Sequence, residues 1–323
     1  MQGRDRSPSE LLSRGFLILL LCACTSSGLT GRRADGLNGT IRISGAWALY
    51  PLMTRWGEAY QESNPGVRFE ISAGGAGLGM SDVLAGEVDI AMVSRGIDPE
   101  EVRQGAFWIP VARDAVFPVV NAANPAWETL QAHGLSKSQL IQVFLHDEPM
   151  TWDDLVGDPM ISNPVHVYTR ADSAGGPATW AEFLGGVQAE LKGLPVEGEP
   201  GMLEAVRADP LALGYNSLIF AFDLSSGSPQ PGIEVLPIDF NGDEAISPDE
   251  RHATREEAIK AVISGVYPPP LSRELYLVSR GKPSGLVEDF LRWTLEAGQE
   301  FVMPAGYVLL SQVRRIEGLR MIE

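Results

Sequence analysis

Short apolar runs alternate with helical periodicity through most of this chain. Residues 41–44, 67–72 and 88–93 are brief apolar runs of the kind that predicts buried strands. Between the first two, apolar residues from 49 to 60 recur at three- and four-residue spacing, which predicts a helix with one apolar face. A glycine-rich turn at 74–79 opens the next helix. The order strand, helix, strand, helix, strand predicts a parallel α/β sheet.

The alternation continues through the second half of the chain and predicts a second lobe. The predicted elements are strands at 116–121, 165–169, 211–215 and 275–278, helices at 138–145, 178–184, 202–208 and 256–264, and two helices within 286–310. Asn124-Pro125 and three prolines at 268–270 interrupt regular structure, so we expect the chain to cross between lobes there. We therefore predict an α/β fold in which lobe 1 comprises 39–120 and 270–323, lobe 2 comprises 121–269, and a ligand cleft separates them.

The N-terminal segment has the pattern of an export signal. Three arginines in the first 14 residues precede the apolar run 16–21, which is too short to span a bilayer. The following Leu21-Cys22-Ala23-Cys24 resembles a bacterial lipobox, which predicts a signal peptide at 1–23, acylation of Cys24 and a flexible tether to residue 38. The sequence thus predicts an extracytoplasmic lipoprotein held to a membrane only by its lipid. The alternative is a simple signal peptide with an incidental cysteine.

Composition and charge exclude some classes of binding partner and of activity for this protein. The 323 residues include 42 acidic and 25 basic side chains, for a formal net charge of −17. Nucleic acid is excluded as a partner, because binding its backbone requires clustered positive charge. The four histidines lack metal-site spacing, and neither a nucleophile elbow nor a nucleotide P-loop is present. The sequence therefore predicts no enzyme and no cofactor apart from a structural calcium ion.

Three loops share one predicted geometry, at 44–48, 74–79 and 170–176. Each follows a predicted strand and opens a predicted helix, so each presents unpaired N–H groups and the positive end of a helix dipole. Such a loop is an anion cradle when its residues are small, although it can also be a simple tight connection. Arg95 and Arg170 end predicted strands, where a guanidinium either binds an oxyanion or forms a structural ion pair. The candidate ligand-binding residues are Ala46, Trp47, Ala48, Gly75, Ala76, Gly77, Ser94, Arg95, Arg170, Ser173, Ala174 and Gly175.

From residue 40 to the C-terminus the chain resembles the phosphate-type substrate-binding proteins of bacterial ABC transporters. The matching stretches are 44–52 with Trp56, 65–67, 74–79, 85–95, 120–121, 124–125, 214–215, 273–278, 298–299 and 306–307. The resemblance implies a two-lobed periplasmic-binding-protein fold, type II-like, with two crossover strands. It also implies that a small oxyanion is held between the lobes, that no reaction is catalysed, and that the closed form docks on an ABC permease.

The loops depart from the family pattern at the positions of the usual hydroxyl donors. Trp47-Ala48, Ala76 and Ala174-Gly175-Gly176 stand where the family usually carries Ser or Thr. The missing hydroxyls leave the identity of the anion open: it is phosphate, a related oxyanion or a small organic anion. Trp47 either contacts a larger ligand or fills the core. The functional hypothesis is capture of this anion for an ABC importer. The alternative is a non-transport lipoprotein of the same fold that senses or scavenges anions.

Residues 239–250 match the spacing of a calcium loop. The candidate ligands are Asp239, Asn241, Asp243, Ala245, Ser247 and Glu250, with the apolar Ile246 at the eighth position. Glu244 occupies the sixth position, which is normally glycine. The loop is either a structural calcium site in a lobe 2 insertion or an acidic surface loop. A calcium-dependent hydrolase is the last-ranked functional class.

Overall fold

A nine-stranded sheet runs through residues 37–323, the part of the chain that the structure, a computed structural model, describes. The strands are β1 (Asn38–Gly45), β2 (Gly66–Ile71), β3 (Ile90–Val93), β4 (Ala106–Asn121), β5 (Leu135–Ser136), β6 (His166–Arg170), β7 (Leu194–Val196), β8 (Ala212–Ser217), β9 (Ile233–Val235), β10 (Ile238–Asp239) and β11 (Ser272–Arg280). Their order is β2-β1-β3-β11-β4-β8-β6-β7, with β9 also paired to β4, while β5 and β10 form a separate pair. The predicted signal peptide and Cys24 lie outside the described residues.

Helices follow most of these strands. They are α1 (Tyr50–Ser63), α2 (Ala76–Ala85), α3 (Pro99–Arg103), α4 (Trp127–His133), α5 (Lys137–Leu145), α6 (Trp152–Val156), α7 (Gly175–Leu184), α8 (Gly198–Ala208), α9 (Leu218–Ala221), α10 (Arg255–Ser264), α11 (Gly285–Leu295) and α12 (Gln312–Ile322). Short 3-10 turns lie at Trp47–Leu49, Gln188–Glu190 and Ala297–Phe301. Within 37–323, none of the helices is long and apolar enough to cross a membrane.

The predicted α/β fold class is confirmed. β1 pairs in parallel with β2 and β3, and β6 pairs in parallel with β7 and β8. The predicted pair of helices within 286–310 is wrong in its second member. That region holds α11 and a 3-10 turn, while the last helix, α12, begins two residues after the predicted range. The apolar residues within 286–310 that suggest a second helix include Val302 and Tyr307. These two side chains are buried in the core, but they lie outside any helix.

Two hydrophobic cores lie along the sheet. The first contains buried residues from 41–112 and 275–322, and the second contains residues from 115–271 together with Val308. Trp56 of α1 is fully buried in the first core, and its indole Nε1 donates to the carbonyl of Gly298 at 2.7 Å. In the second core Trp180 stacks on Tyr215. The lobe boundaries at 120 and 270 stay a prediction, and core membership itself changes inside β4, between Ala112 and Ala115.

Two paired strands connect the cores. β4 has 16 residues, and β11 lies antiparallel along its first half. The pairing shifts register where Leu275 faces Ala112 and Tyr276 faces Pro110, so Val111 is an extra residue on β4. The carbonyl of Val111 accepts a hydrogen bond from Gln299 Nε2 at 3.0 Å. The chain therefore crosses between the cores as a two-stranded ribbon with a bulge.

Candidate functional site

The three glycine-containing loops meet at one place. A Cβ added to Gly79 of α2 would lie 2.6 Å from the Cα of Gly45, at the end of β1. The backbone N–H of Gly77 donates to the carbonyl of Ser173 at 3.0 Å. A Cβ on Gly175 would overlap the backbone oxygen of Ser94, at the end of β3. The small residues are therefore required by close packing between the beginnings of α2 and α7 and the ends of β1 and β3.

The beginnings of α2 and α7 have no side-chain caps. The cap residues are Gly75, in the left-handed region with φ of 97°, and Ala174, which is extended; within the described chain neither makes a side-chain capping bond. Elsewhere Asp98, Ser136 and Thr254 complete capping boxes on α3, α5 and α10. In α2 the N–H of Gly77 is already bonded to the carbonyl of Ser173, and Pro177 in the first turn of α7 has no N–H. The N–H groups of Ala76 in α2 and of Gly175 and Gly176 in α7 lack the acceptor that a capping side chain would supply, as in an anion cradle.

Arg95 forms a structural ion pair. Its Nη2 lies 2.6 Å from Glu101 Oε1 and its Nη1 lies 3.0 Å from Glu101 Oε2. Glu101 also accepts from the backbone N–H of Asp98 and so completes the capping box of α3. Of the two possibilities that the sequence leaves open for Arg95, the structure has the ion pair, because Glu101 follows only six residues later and reaches back to it.

Arg170 is buried and forms an ion pair with the carboxylate of Asp172, two residues later in the chain. Its Nε donates to Asp172 Oδ1 at 2.6 Å, and its Nη2 bonds the other oxygen of Asp172. Asp172 Oδ1 also accepts from the backbone N–H of Gly198, which begins α8. The third nitrogen, Nη1, lies 4.0 Å from Glu199 Oε1. Arg170 is therefore fixed by Asp172, and Nη1 is the part of the guanidinium that faces Glu199.

Glu199 is a site residue that the sequence prediction missed. It is 3% exposed, and a Cβ on Gly176, in the first turn of α7, would lie 3.7 Å from its Oε1. Burial raises the pKa of its carboxyl, and the nearby charges of Arg170 and Arg273 lower it. Because a glutamate at the start of an amphipathic helix is common on protein surfaces, no signal in the sequence marked Glu199 as buried.

A second buried ion pair lies where β4 and β11 face each other. Asp114 is fully buried, and its Oδ2 lies 2.8 Å from Arg273 Nη2. Arg273 Nη1 donates to Thr179 Oγ1 of α7 at 3.3 Å, and Asp114 Oδ1 accepts from the backbone N–H of Leu218. Burial raises the pKa of Asp114, while Arg273 opposes that rise. This pair joins the ribbon to α7 and α9.

Several buried polar atoms around these charges lack a hydrogen-bond partner in residues 37–323. They are Glu199 Oε2, Asn216 Oδ1, Ser217 Oγ, Arg273 Nε and Tyr307 Oη. Asn216 Nδ2 donates to the carbonyl of Glu199 at 3.1 Å, which fixes the orientation of that amide. We call the set Asp114, Arg170, Asp172, Glu199, Ser217, Arg273 and Tyr307 the junction cluster. Unpartnered buried polar atoms are rare in folded proteins, so their concentration here indicates a place for a polar ligand.

Trp47 connects the two cores beside this cluster. It begins the 3-10 turn that precedes α1, and its indole Nε1 would lie 3.0 Å from a Cβ on Gly198 of α8. Its ring also contacts that of Tyr50, with centroids 6.3 Å apart. Trp47 is half-buried, and its side chain forms the contact between the 3-10 turn and α8.

The candidate calcium loop follows β10 and is organised by its own side chains. Asp239 accepts from the N–H groups of Gly242 and Glu244, and Glu250 accepts from the N–H groups of Phe240 and Ser247. Glu244 has φ of 61°, the left-handed conformation for which glycine is usual at the sixth position. Across residues 37–323, no group of three or more His, Cys, Asp or Glu is placed to hold a metal ion. Calcium binding stays a prediction.

Comparison with known proteins gives a consistent set of relatives. Residues 30–297 match a family model described as a PBP superfamily domain. The phosphate-binding protein PstS of Bacillus subtilis is 23% identical over 319 residues, covering 94% of each chain. A protein from Clostridium perfringens, described as a phosphate ABC transporter substrate-binding protein and solved with bound phosphate, aligns with a TM-score of 0.68 and 22% identity over 84% of this chain and 100% of that one. An ABC-type phosphate transport receptor from Vibrio cholerae aligns with a TM-score of 0.59 and 20% identity over the same shares. The chain belongs to the PBP superfamily, as its sequence motifs predict.

Proposed function

We propose that this protein is an extracytoplasmic solute-binding protein that captures phosphate or a related oxyanion between its two lobes and delivers it to an ABC permease. The observation that carries the proposal is the convergence of the uncapped beginnings of α2 and α7 on the junction cluster. Relatives that bear the names of phosphate-binding and phosphate-transport proteins support the ligand class. The predicted signal peptide and acylated Cys24 support attachment outside the cytoplasm.

Buried donors compensate for the hydroxyls that the loops lack. Ser217 Oγ, Tyr307 Oη and Arg273 Nε have no partner in the described part of the chain. A hydrogen bond to a charged group contributes about 1.5–3 kcal/mol, so three such donors are comparable with the hydroxyls absent at Trp47, Ala76 and Ala174. The backbone N–H groups of α2 and α7 are independent of side-chain identity. The anion site of this protein is thus built from backbone groups together with buried side chains of both predicted lobes, Ser217 from lobe 2 and Arg273 and Tyr307 from lobe 1.

Calorimetric titration of the purified chain tests the proposal. Phosphate, sulfate and molybdate are titrated separately, and we expect heat and saturable binding with at least one of them. A thermal midpoint that rises with the concentration of the same anion is the second readout, because a ligand that binds only the folded state stabilises it. Absence of both heat and stabilisation with all three anions would remove the proposal.

Two variants make the titration specific for the site. Gly77→Val puts a branched side chain where a Cβ alone already meets Ser173 Oγ at 2.5 Å, so it separates the beginnings of α2 and α7. Gly96→Ala, at a position without a positive φ where an added Cβ meets no described atom within 4 Å, is the control. We expect the first variant to lose anion binding and the second to keep it. Binding that survives Gly77→Val would place the anion elsewhere.

A further inference from the structure

Glu199 of the junction cluster lies beside the beginning of α7, one of the two helix beginnings assigned to the anion in the proposed function. It is the second residue of α8, its Oε1 lies beside Gly176 in the first turn of α7, and Arg170 Nη1 is 4.0 Å away. Negative charge is favoured at the beginning of a helix, so the beginning of α7 attracts both the Glu199 carboxylate and an incoming anion. Capture of an anion by α7 therefore changes the surroundings of this carboxyl directly.

Glu199 shares its nearest cation with another carboxylate, because Arg170 forms a long ion pair of 4.0 Å with Glu199 and two shorter contacts with Asp172. Arg170 is bound through two nitrogens to Asp172, and Arg273 is bound to Asp114. The remaining titratable group that faces Glu199 is Tyr307, whose pKa is raised by burial and by the charges of Asp114 and Glu199. Three carboxyl groups thus face two guanidiniums, and Oε2 of Glu199 has no partner among residues 37–323. The cluster therefore has one carboxyl group more than it has guanidiniums, and we take Glu199 as that additional carboxyl.

An oxyanion next to an ionised Glu199 would place like charges together in a buried site. A guanidinium cannot relieve this repulsion, because its charge is fixed, but a carboxyl relieves it by binding a proton. The proton comes from solvent, and the resulting neutral carboxyl has an O–H group to donate. It would then supply one of the donors that Trp47, Ala76 and Ala174 do not provide.

We propose, on the basis of the proposed function, that Glu199 takes up one proton when the cleft captures an oxyanion and that its protonated carboxyl donates a hydrogen bond to that anion. Glu199 is then a ligand-binding residue that couples affinity to pH. Since protonation becomes harder as pH rises, the affinity of the wild-type protein for the anion falls with rising pH. An amide at this position is neutral at every pH and removes the coupling.

The test compares the wild-type chain with Glu199→Gln, using inorganic phosphate as the probe. The dissociation constant of each protein for phosphate is measured by calorimetry between about pH 5.5 and about pH 9. The dissociation constant of the wild type is then divided by that of the variant, because protonation of phosphate itself affects both equally. We expect the ratio to be near one at the acid end and to increase by up to about tenfold per pH unit as Glu199 ionises. The matched control is Glu204→Gln, an exposed carboxyl on the same helix that pairs with Arg207.

Proton uptake is measured independently in the wild-type protein. Titrations in two buffers with different ionisation enthalpies give the number of protons bound with phosphate, and this number should be larger by as much as one proton in the wild type than in Glu199→Gln. If Glu199→Gln does not fold, the wild-type titration is repeated with sulfate, which does not change its protonation between about pH 5.5 and about pH 9, so that any proton bound with it is taken up by the protein. A ratio independent of pH, or equal proton uptake in both proteins, overturns the inference. Failure of every protein to bind phosphate, sulfate or molybdate at any pH overturns the proposed function instead.

Discussion

Asp114 and Arg273 face each other across β4 and β11 at the point where the chain passes from one core to the other. Their ion pair of 2.8 Å is buried on both sides, and Arg273 extends it to Thr179 of α7. The same side chains therefore belong both to the connection between the two cores and to the proposed anion site. A change at this pair should affect both stability and binding.

Replacing Asp114 by Asn should destabilise the fold by about 3–5 kcal/mol, because it leaves the Arg273 charge buried without its partner. The free energy of unfolding is measured by urea denaturation at neutral pH. Glu288→Gln, which removes a partly exposed pair with Arg292 on α11, is the control and should change stability little. Equal losses in the two variants would show that Asp114 acts only as a surface charge does.

The stability of the protein should decrease as pH falls from about 6.5 toward 4 because of His252. His252 is buried against Phe117 and Tyr267, and burial lowers its pKa to about 4. The unfolded state therefore binds a proton on this side chain at a pH where the folded state does not. From these pKa values the loss between neutral pH and pH 5 is about 2 kcal/mol.

His252→Phe checks this pH dependence, since its ring can keep the contacts with Phe117 and Tyr267 without titrating. Unfolding free energies of wild type and variant are compared at neutral pH and at about pH 5, and the variant should lose about 2 kcal/mol less on acidification. His133→Gln, on the exposed end of α4, serves as the control. Identical acid losses in wild type and His252→Phe would contradict the prediction.

Gly175→Ala should prevent the beginning of α7 from resting on the end of β3. The added methyl group overlaps the backbone of Ser94, which cannot move without disturbing the sheet. We expect phosphate affinity to fall by at least about tenfold and the radius of gyration in solution to increase, because the contact that closes the site is lost. Calorimetry and small-angle X-ray scattering measure the two effects.

Gly96→Ala is the matched control for that change. It lies two residues after Ser94, and a Cβ there meets no described atom within 4 Å. Affinity and radius of gyration should both match the wild type. A wild-type affinity in Gly175→Ala would mean that the packing of α7 on β3 has no part in ligand capture.

Calcium should raise the thermal midpoint of the protein if residues 239–250 form the predicted site. Asp243 is exposed and its carboxyl accepts only from the nearby N–H of Ala245 and from Asn241, so Asp243→Asn tests the ligand set at little structural cost. We expect a calcium-dependent rise that a chelator reverses and that the variant lacks. An unchanged midpoint in millimolar calcium would leave 239–250 as an acidic surface loop.

The backbone half of the candidate site could be predicted from the sequence. Gly75, Gly77 and Gly175 occur in turns between an apolar strand and a helical pattern, and local pattern is sufficient to place such turns at the same edge of a sheet. The end of α7 is predicted at its observed residue, Leu184, while α7 begins at Gly175, three residues before the predicted start. The alternation of strands and helices likewise predicts the parallel pairs around β1.

The side-chain half of the site could not be predicted, because it depends on contacts between distant segments. Arg95 is taken by Glu101 and Arg170 by Asp172, and sequence spacing does not decide whether a nearby carboxylate or a ligand binds an arginine. Glu199 and Asp114 are brought to the site by packing of α8 and β4 against α7. The crossing into the second lobe at Asn124-Pro125 stays a prediction; core membership changes inside β4, between Ala112 and Ala115, where no turn residue marks it.

The bulge at Val111 sets how the molecule can deform. Both segments that connect the lobes are hydrogen-bonded to each other along β4 and β11, so neither can swing as an independent hinge. The ladder is weakest at the extra residue Val111, next to Pro110 on the same strand, which has no N–H to donate. Any opening and closing that the proposed capture requires would therefore bend the two connections together as one ribbon, and the lobes would keep one alignment from cycle to cycle.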